Sequence, residues 1–358
     1  MSQLPHPPPE AGGLPEGPPR AHLIVISLHD DDGRLADLLV WSQPSRPARR
    51  SSLTRYIAGR LGWALVVILA MTIITFGVTF LSPVDPARLY AGVHASHQEY
   101  EAARRTLGLD QPVVVQYLRY LGRLVQGNLG NSFSTGQSVR SLVLGRLPAT
   151  LELAAAGLLI EAVIGLPLGF LAATRWHRPA DRAVLAGSLV GVVIPQFVLG
   201  FALLYLFAYK LPIFPLGATA SLPALVLPAL ALGLPGAAWY ARMVRSSVLN
   251  VLGEDFVRSS RAKGLSEWKV MSRHVFRNSI GPAITMLGLD FGIFLGGVLV
   301  VEQVFGWPGI GQQAWNAITA NDIPVVLGTV IVATTAVVIF NLLADVANAV
   351  LDPRIRYA

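Results

Sequence analysis

The residues that could do chemistry in this 358-residue chain are few: twenty-one Asp and Glu, seven His and no Cys. Without cysteine there is no disulfide framework, thiolate zinc site, iron–sulfur ligation or cysteine nucleophile. His94 and His97 stand three apart and would share a helical face, but no third nitrogen or acidic ligand follows at short spacing, so no metal site is read there. Neither G-x-S-x-G nor H-E-x-x-H occurs. G-x-x-x-x-G-K-[ST] is also missing, and Lys263-Gly264-Leu265-Ser266 runs in the wrong order to cradle phosphates, so the chain cannot hydrolyse ATP alone. What remains is a set of acids in apolar surroundings: Glu152, Glu161, Asp290, Glu302 and Asp345. A charge held in hydrocarbon costs at least about 2.5 kcal/mol, so each must face protein, water or an interface. Glu152, Glu302 and Asp345 fall near the ends of apolar stretches and read as interfacial anchors. Glu161 and Asp290 lie deeper; they either pair with polar groups on neighbouring helices or meet a cationic solute, with proton coupling a third use.

The elements around these acids are membrane spans. The chain is 53% hydrophobic and 14% charged, where a water-soluble domain carries about 25% charged residues. Leu61 to Leu81 has no charge and measures about 31 Å as a helix, the thickness of a bilayer core. Further candidates are Ala149–Thr174, Ala183–Tyr209, Leu222–Tyr240, Ile280–Val301 and Pro324–Leu351, which makes six spans of an all-α polytopic membrane protein. Pro167, Pro195, Pro228 and Pro235 inside them predict kinked helices whose neighbours satisfy the freed backbone groups. The net charge of +7 comes from basic residues clustered at span ends, which reads as topology and not as nucleic-acid binding. Arg46, Arg49, Arg50, Arg55 and Arg60 put the N terminus in the cytoplasm, and Arg354 and Arg356 put the C terminus there as well. Residues 1–51 open with a Pro-rich tail and are expected to be a mostly disordered cytoplasmic extension, with a short strand or helix near Leu23 to Ser27.

Two connections stand out. Residues 82–147 lie outside as a helical segment, in which Val114, Tyr117, Leu118, Leu121 and Leu124 fall at helical spacing and Glu101 can pair with Arg104 or Arg105. It either docks a partner or packs on its own helices. Residues 242–279 are cytoplasmic. There, Asp255 to Lys263 start acidic and end basic, stop at Gly264, and give way to a second helix capped by Ser266. This helix, turn and helix carries Phe256, Val257, Leu265, Trp268 and Val270 amid charge. It is either an amphipathic plug for another protein's groove or a solvated loop obeying the charge rule.

Arg261-Ala262-Lys263-Gly264-Leu265-Ser266, followed by His274, Arg277-Asn278 and Pro282, resembles the coupling loop of the inner-membrane permeases of ABC importers, in its peptide and nickel variant. The general loop begins Glu-Ala-Ala where this chain has Arg258-Ser259-Ser260. Other islands resemble the first of that branch's two permease subunits: Ser82 to Pro86, Leu107 to Pro112, Gly127 to Gly130 with Ser132, Leu147 to Leu153, Ile194 to Phe197, Val301-Glu302 with Phe305 to Gly309, and Leu351 to Tyr357. The resemblance runs from about Ser52 to Tyr357, giving a permease domain at 52–358. It implies the type I importer permease fold, in a bacterial or archaeal cytoplasmic membrane, and a non-catalytic subunit that forms a path for peptides. Nickel or another small solute is the alternative within the family; an ion-coupled carrier or channel using Glu161 and Asp290 is the alternative outside it. It further implies a second permease subunit, two nucleotide-binding ATPase subunits that hold the ATP and Mg, and a solute-binding protein outside. Arg258, Arg261, Ala262, Lys263, Gly264, Leu265 and Trp268 would then couple to the ATPase, Gly264 making the turn and Leu265 and Trp268 filling apolar hollows.

Overall fold

A computed structural model of the chain describes residues 22–29, 35–42, 53–81, 85–92, 94–217 and 221–351. The Pro-rich start, Arg46, Arg49 and Arg50, the island Ser82 to Val84, and the ending from Asp352 with Arg354 and Arg356 lie outside the described residues. The short strand or helix expected near Leu23 to Ser27 is a strand. β1 (His22–His29) pairs antiparallel with β2 (Leu35–Ser42), from His22 opposite Ser42 to His29 opposite Leu35. Two apolar runs either side of Asp30-Asp31-Asp32-Gly33 are a hairpin pattern, and local pairing needs no core.

The rest of the described chain is helical. α1 (Leu53–Leu81) leads into a segment of short helices, expected to lie outside, made of α2 (Pro86–Ala91), α3 (His97–Leu107), α4 (Val113–Val125) and α5 (Val139–Leu144). A reciprocal cap fixes the start of α3: the Ser96 hydroxyl accepts from the Glu99 N–H while the Glu99 carboxylate accepts from the Ser96 N–H. The Glu101–Arg104 pair forms at 3.6 Å. α6 (Leu147–Ile160), a π-helical turn at Glu161–Gly165 and α7 (Leu166–Thr174) make one long span.

The expected third span is broken. α8 (Pro179–Val193) and α9 (Gln196–Leu203), with the π turn Leu204–Lys210, meet at 103°. Pro195 cannot donate to the ladder and forces Ile194 out of the helical region to φ −67°, ψ 122°, so the chain turns. α10 (Leu222–Leu252) contains Pro228 and Pro235 and stays helical past Tyr240, so the connection read as residues 242–279 begins within this helix. That connection then holds α11 (Asp255–Ala262), α12 (Glu267–Lys269), a π segment at Val270–Phe276 and α13 (Arg277–Ser279). α14 (Gly281–Gly297), α15 (Leu299–Phe305), α16 (Ile310–Thr319) and α17 (Ile323–Leu351) complete the chain. By length and composition, four helices can cross a membrane, or up to six if each bent pair is one span.

α10 is the hub, packed against α6, α7 and α8. Small residues permit the approach. A side chain at Gly165 would come within 2.7 Å of the Tyr240 Cβ, and one at Gly169 within 2.8 Å of the Val244 Cβ. In lipid the drive for such pairing is close van der Waals contact, which small residues at every fourth position maximise. Glu161 occupies the same row, four residues before Gly165.

Candidate functional site

The connection between α10 and α14 is a compact elbow. Gly264 has φ +75°, the left-handed region in which other residues are strained, and reverses the chain between α11 and α12. Arg261 at the end of α11 reaches across the turn to Glu267 at 2.6 Å, and that contact holds the Arg261 guanidinium above its already high range. Ser266 precedes α12 as expected, but its side chain makes no capping bond. Val257, Val270 and Val275 are fully buried and join Val244 and Val248 of α10 and Ala283 of α14 in one apolar cluster. Ser247 donates to the Ser279 carbonyl at 2.7 Å and ties α10 to α13. The elbow is thus one body with the ends of the two spans it joins.

Its tip faces outward. Trp268 is 79% exposed and Phe256 39%, with Arg258, Lys263 and Ala262 exposed around them. Leu265 is half-buried against the elbow's own cluster, so its apolar contacts lie inside this chain. A cleft of about 370 Å³ separates the elbow from the second span, lined by Ala162, Leu166, Pro167, Phe170, Trp268, Ser272 and Phe276. An exposed indole ringed by cations on a rigid support is suited to docking.

The deep acids meet at α10. Glu161 is buried in the π turn, and Gly236 opposite makes room for it, since any Cβ there would overlap the carboxylate. Asp290 of α14 accepts a hydrogen bond from the Tyr240 hydroxyl, and Tyr240 is itself fully buried. Asp290 also lies within electrostatic reach of Glu161. Glu161 Oε2 has no hydrogen-bond partner. The geometry therefore gives Asp290 a polar neighbour on another helix, while Glu161 keeps one open oxygen.

The three acids near span ends divide. Glu152 is exposed. Asp345 pairs with Arg60 at 3.1 Å, joining α17 to α1. Glu302 is not an interfacial anchor: it is fully buried, because its partners come from two other segments. Its Oε1 accepts from the Thr150 hydroxyl at 2.6 Å and its Oε2 from the Gln312 N–H at 2.9 Å. Trp307 donates to the Ala149 carbonyl at 2.8 Å, and the Ile310 N–H donates to Thr150, closing a lock between α6, α15 and α16. A second lock lies in the outer segment. Asp322 is buried and accepts from the hydroxyls of Ser132 and Ser134 at 2.5 and 2.6 Å. Burial alone would raise this carboxyl, but those bonds and the N–H groups of Phe133 and Ser134 outweigh it and hold it below the usual aspartate range. A third lock, Arg245 bidentate to Asp181 at 2.5 and 2.9 Å, ties α10 to α8.

The sequence pointed to Ser132 and Trp307 only as parts of short islands, to Glu302 as an interfacial acid and part of an island, and to Arg245 as a topology arginine. Asp181, standing alone among Arg175, Arg178 and Arg182, was a readable signal for an ion pair. Thr150 stood only inside the island Leu147 to Leu153, and Tyr240 and Asp322 carried none. Among the described residues no group of three His, Cys, Asp or Glu is placed to hold a metal.

Candidate membrane spans are pinned together by interior polar locks and carry a cationic and aromatic elbow between α10 and α14. The chain belongs to the family described as the binding-protein-dependent transport system inner membrane component, which it matches over residues 165–357, and residues 53–154 match the companion N-terminal family. It is an ABC importer permease, a non-catalytic integral membrane subunit. A putative peptide permease protein of Brucella ovis is 39% identical over 317 residues, covering 85% of this chain and 99% of that protein. A glutathione transport system permease protein of Salmonella paratyphi A is 36% identical over 305 residues, covering 85% of this chain and all of that protein. A methionine ABC transporter solved in inward-facing conformations aligns over 59% of this chain and 96% of its own, at 18% identity and a TM-score of 0.49.

Proposed function

We propose that this permease lines half of a path for short peptides across the cytoplasmic membrane, and that separate ATPase subunits supply the work through the elbow. The observation that carries the motor reading is the elbow itself, whose buried valines are continuous with α10 and α14 while Trp268 and Phe256 stand exposed among cations. Closure of an ATPase pair would move Arg258, Arg261, Ala262, Lys263 and Trp268 together about the Gly264 turn, and α10 and α14 would tilt with them. Leu265 positions the tip from within. Residues 242–279 act as the coupling segment and 82–147 as the outer one, with both termini cytoplasmic, as the arginines before α1 support. A second permease subunit completes the path, two ATPase subunits bind ATP and Mg, and a solute-binding protein delivers cargo from outside. The names of the relatives, a peptide permease and a glutathione permease, support a peptide-class solute.

Co-purification in mild detergent tests the motor reading. A P-loop ATPase should stay bound to the wild-type chain and be released when Arg261 to Leu265 are changed. Accumulation of solute by the purified chain in liposomes without an ATPase would refute it. Competition of uptake by dipeptides, glutathione and nickel, with the binding protein present, tests the solute class.

A further inference from the structure

α4 has no buried residue, although it is strongly two-faced. Val114, Leu118 and Val125 form an apolar stripe exposed at 69%, 60% and 86%. Arg119 and Arg123 fall on the opposite side of the helix, one turn apart, and no acid stands in the helix. In water such a stripe is a liability, because the hydrophobic effect favours covering it.

The contacts of α4 with the first span set its depth. The Tyr117 hydroxyl lies 2.9 Å from the Thr72 hydroxyl, and the rings of Tyr117 and Tyr120 lie 5.3 and 5.7 Å from that of Phe76. The charge-free stretch of α1 runs to the helix end at Leu81. At the helical rise, Thr72 is about 14 Å and Phe76 about 8 Å inside that end. Interfacial helices bury their apolar face about 5–10 Å into the headgroup and acyl boundary. Along the same stretch α1 keeps Ile73, Ile74 and Val78 exposed, so the span itself carries uncovered apolar surface at this depth.

We propose that α4 is an interfacial helix embedded in the outer leaflet, with Val114, Leu118 and Val125 against acyl chains and Arg119 and Arg123 toward lipid phosphates. The occupant of the stripe is lipid because the stripe is carried at the depth where α1 itself meets lipid. A soluble partner would have to displace acyl chains to reach it. The arginines supply the charge that anionic headgroups attract. The helix thereby anchors the outer segment to the bilayer and fixes its height above the path. This placement rests on the topology proposed above.

The absence of cysteine makes the test clean. Leu118→Cys and Arg123→Cys are each spin-labelled in the assembled transporter in liposomes, and collision rates with oxygen and a water-soluble nickel chelate are compared. The ratio of oxygen to nickel accessibility should be several-fold higher at position 118 than at 123. Equal nickel access at both would overturn the proposal by showing an aqueous stripe. Exclusion of both reagents at 118 would overturn it by showing a covering protein. Gln98→Cys, on exposed α3, reports topology separately: an impermeant maleimide should reach it from outside. Labelling only from inside would overturn the outer-leaflet placement through the topology, whatever the accessibility at 118.

Discussion

Replacing Gly264 isolates the turn from the surface around it. A Cβ at this position meets no atom within 4 Å, so crowding contributes nothing and the cost is that of φ +75° alone. For a β-branched residue that cost is about 1–2 kcal/mol, a factor of about 5–30 in the population of the native turn. The Arg261–Glu267 pair that spans the turn is 45% and 61% exposed, and an exposed pair contributes at most about 1 kcal/mol, so it cannot hold the turn alone. Gly264→Val should therefore lower ATP-driven uptake and ATPase retention in the reconstituted transporter by roughly 5–30-fold while the spans still insert. Gly264→Asn, which tolerates the left-handed region, should lose much less. Gly264→Asp is equally permissible to the backbone but sets a negative charge among Arg258, Arg261 and Lys263, and should abolish uptake by breaking docking. Uptake unchanged in Gly264→Val, or lost equally in Gly264→Asn, would refute the reasoning that the turn conformation transmits force.

Three further perturbations follow from the locks. Gly236→Ala would drive a methyl onto the Glu161 carboxylate, and overpacking of this kind costs about 1–3 kcal/mol, so the detergent melting temperature should fall. Asp181→Ala takes both charge-assisted bonds from Arg245, whose side chain is 19% exposed and can be hydrated, and should cost about 1.5–3 kcal/mol; Arg245→Lys should lose less but not nothing, since it forfeits the bidentate geometry, with thermal unfolding as the readout. The carboxyl of Asp322 is lowered in the folded chain, so its contribution is complete above the unfolded aspartate value of about 3.9 and is lost as pH falls through and below it. Hydrogen exchange at Phe133 and Ser134 should accelerate below that pH in the wild type, and should already be fast and pH-independent of this group in Asp322→Asn.

The elbow was legible because its physics is local. A charge-graded helix, a glycine and a second helix lie within about one turn of each other in sequence, and the positive-φ residue is the one position the turn requires. The spans were legible from apolar length, yet the right-angle break at Pro195 was read only as a kink, because whether a proline bends or interrupts a helix depends on what its neighbours can satisfy. The role of Glu302 was out of reach: Thr150 lies 152 positions upstream, and nothing local distinguishes a buried, hydrogen-bonded carboxylate from an interfacial one. Leu265 shows the same limit within the elbow, since helical spacing cannot tell which apolar residue turns inward. The hairpin at His22–Ser42 carried a signal in Asp30 to Gly33 between two apolar runs, but it was outweighed by the Pro-rich composition before it.

The most direct measurement of force entering through the elbow is a cross-link from its tip. Trp268→Cys provides the chain's single thiol on an exposed site, and a short thiol-to-amine reagent is applied to actively importing membranes with and without ATP. The account predicts a product joining this chain to an ATPase subunit, with a yield that changes when ATP is bound. Import proceeding at full rate with position 268 labelled freely from the cytoplasm, and no ATPase product in either state, would contradict it.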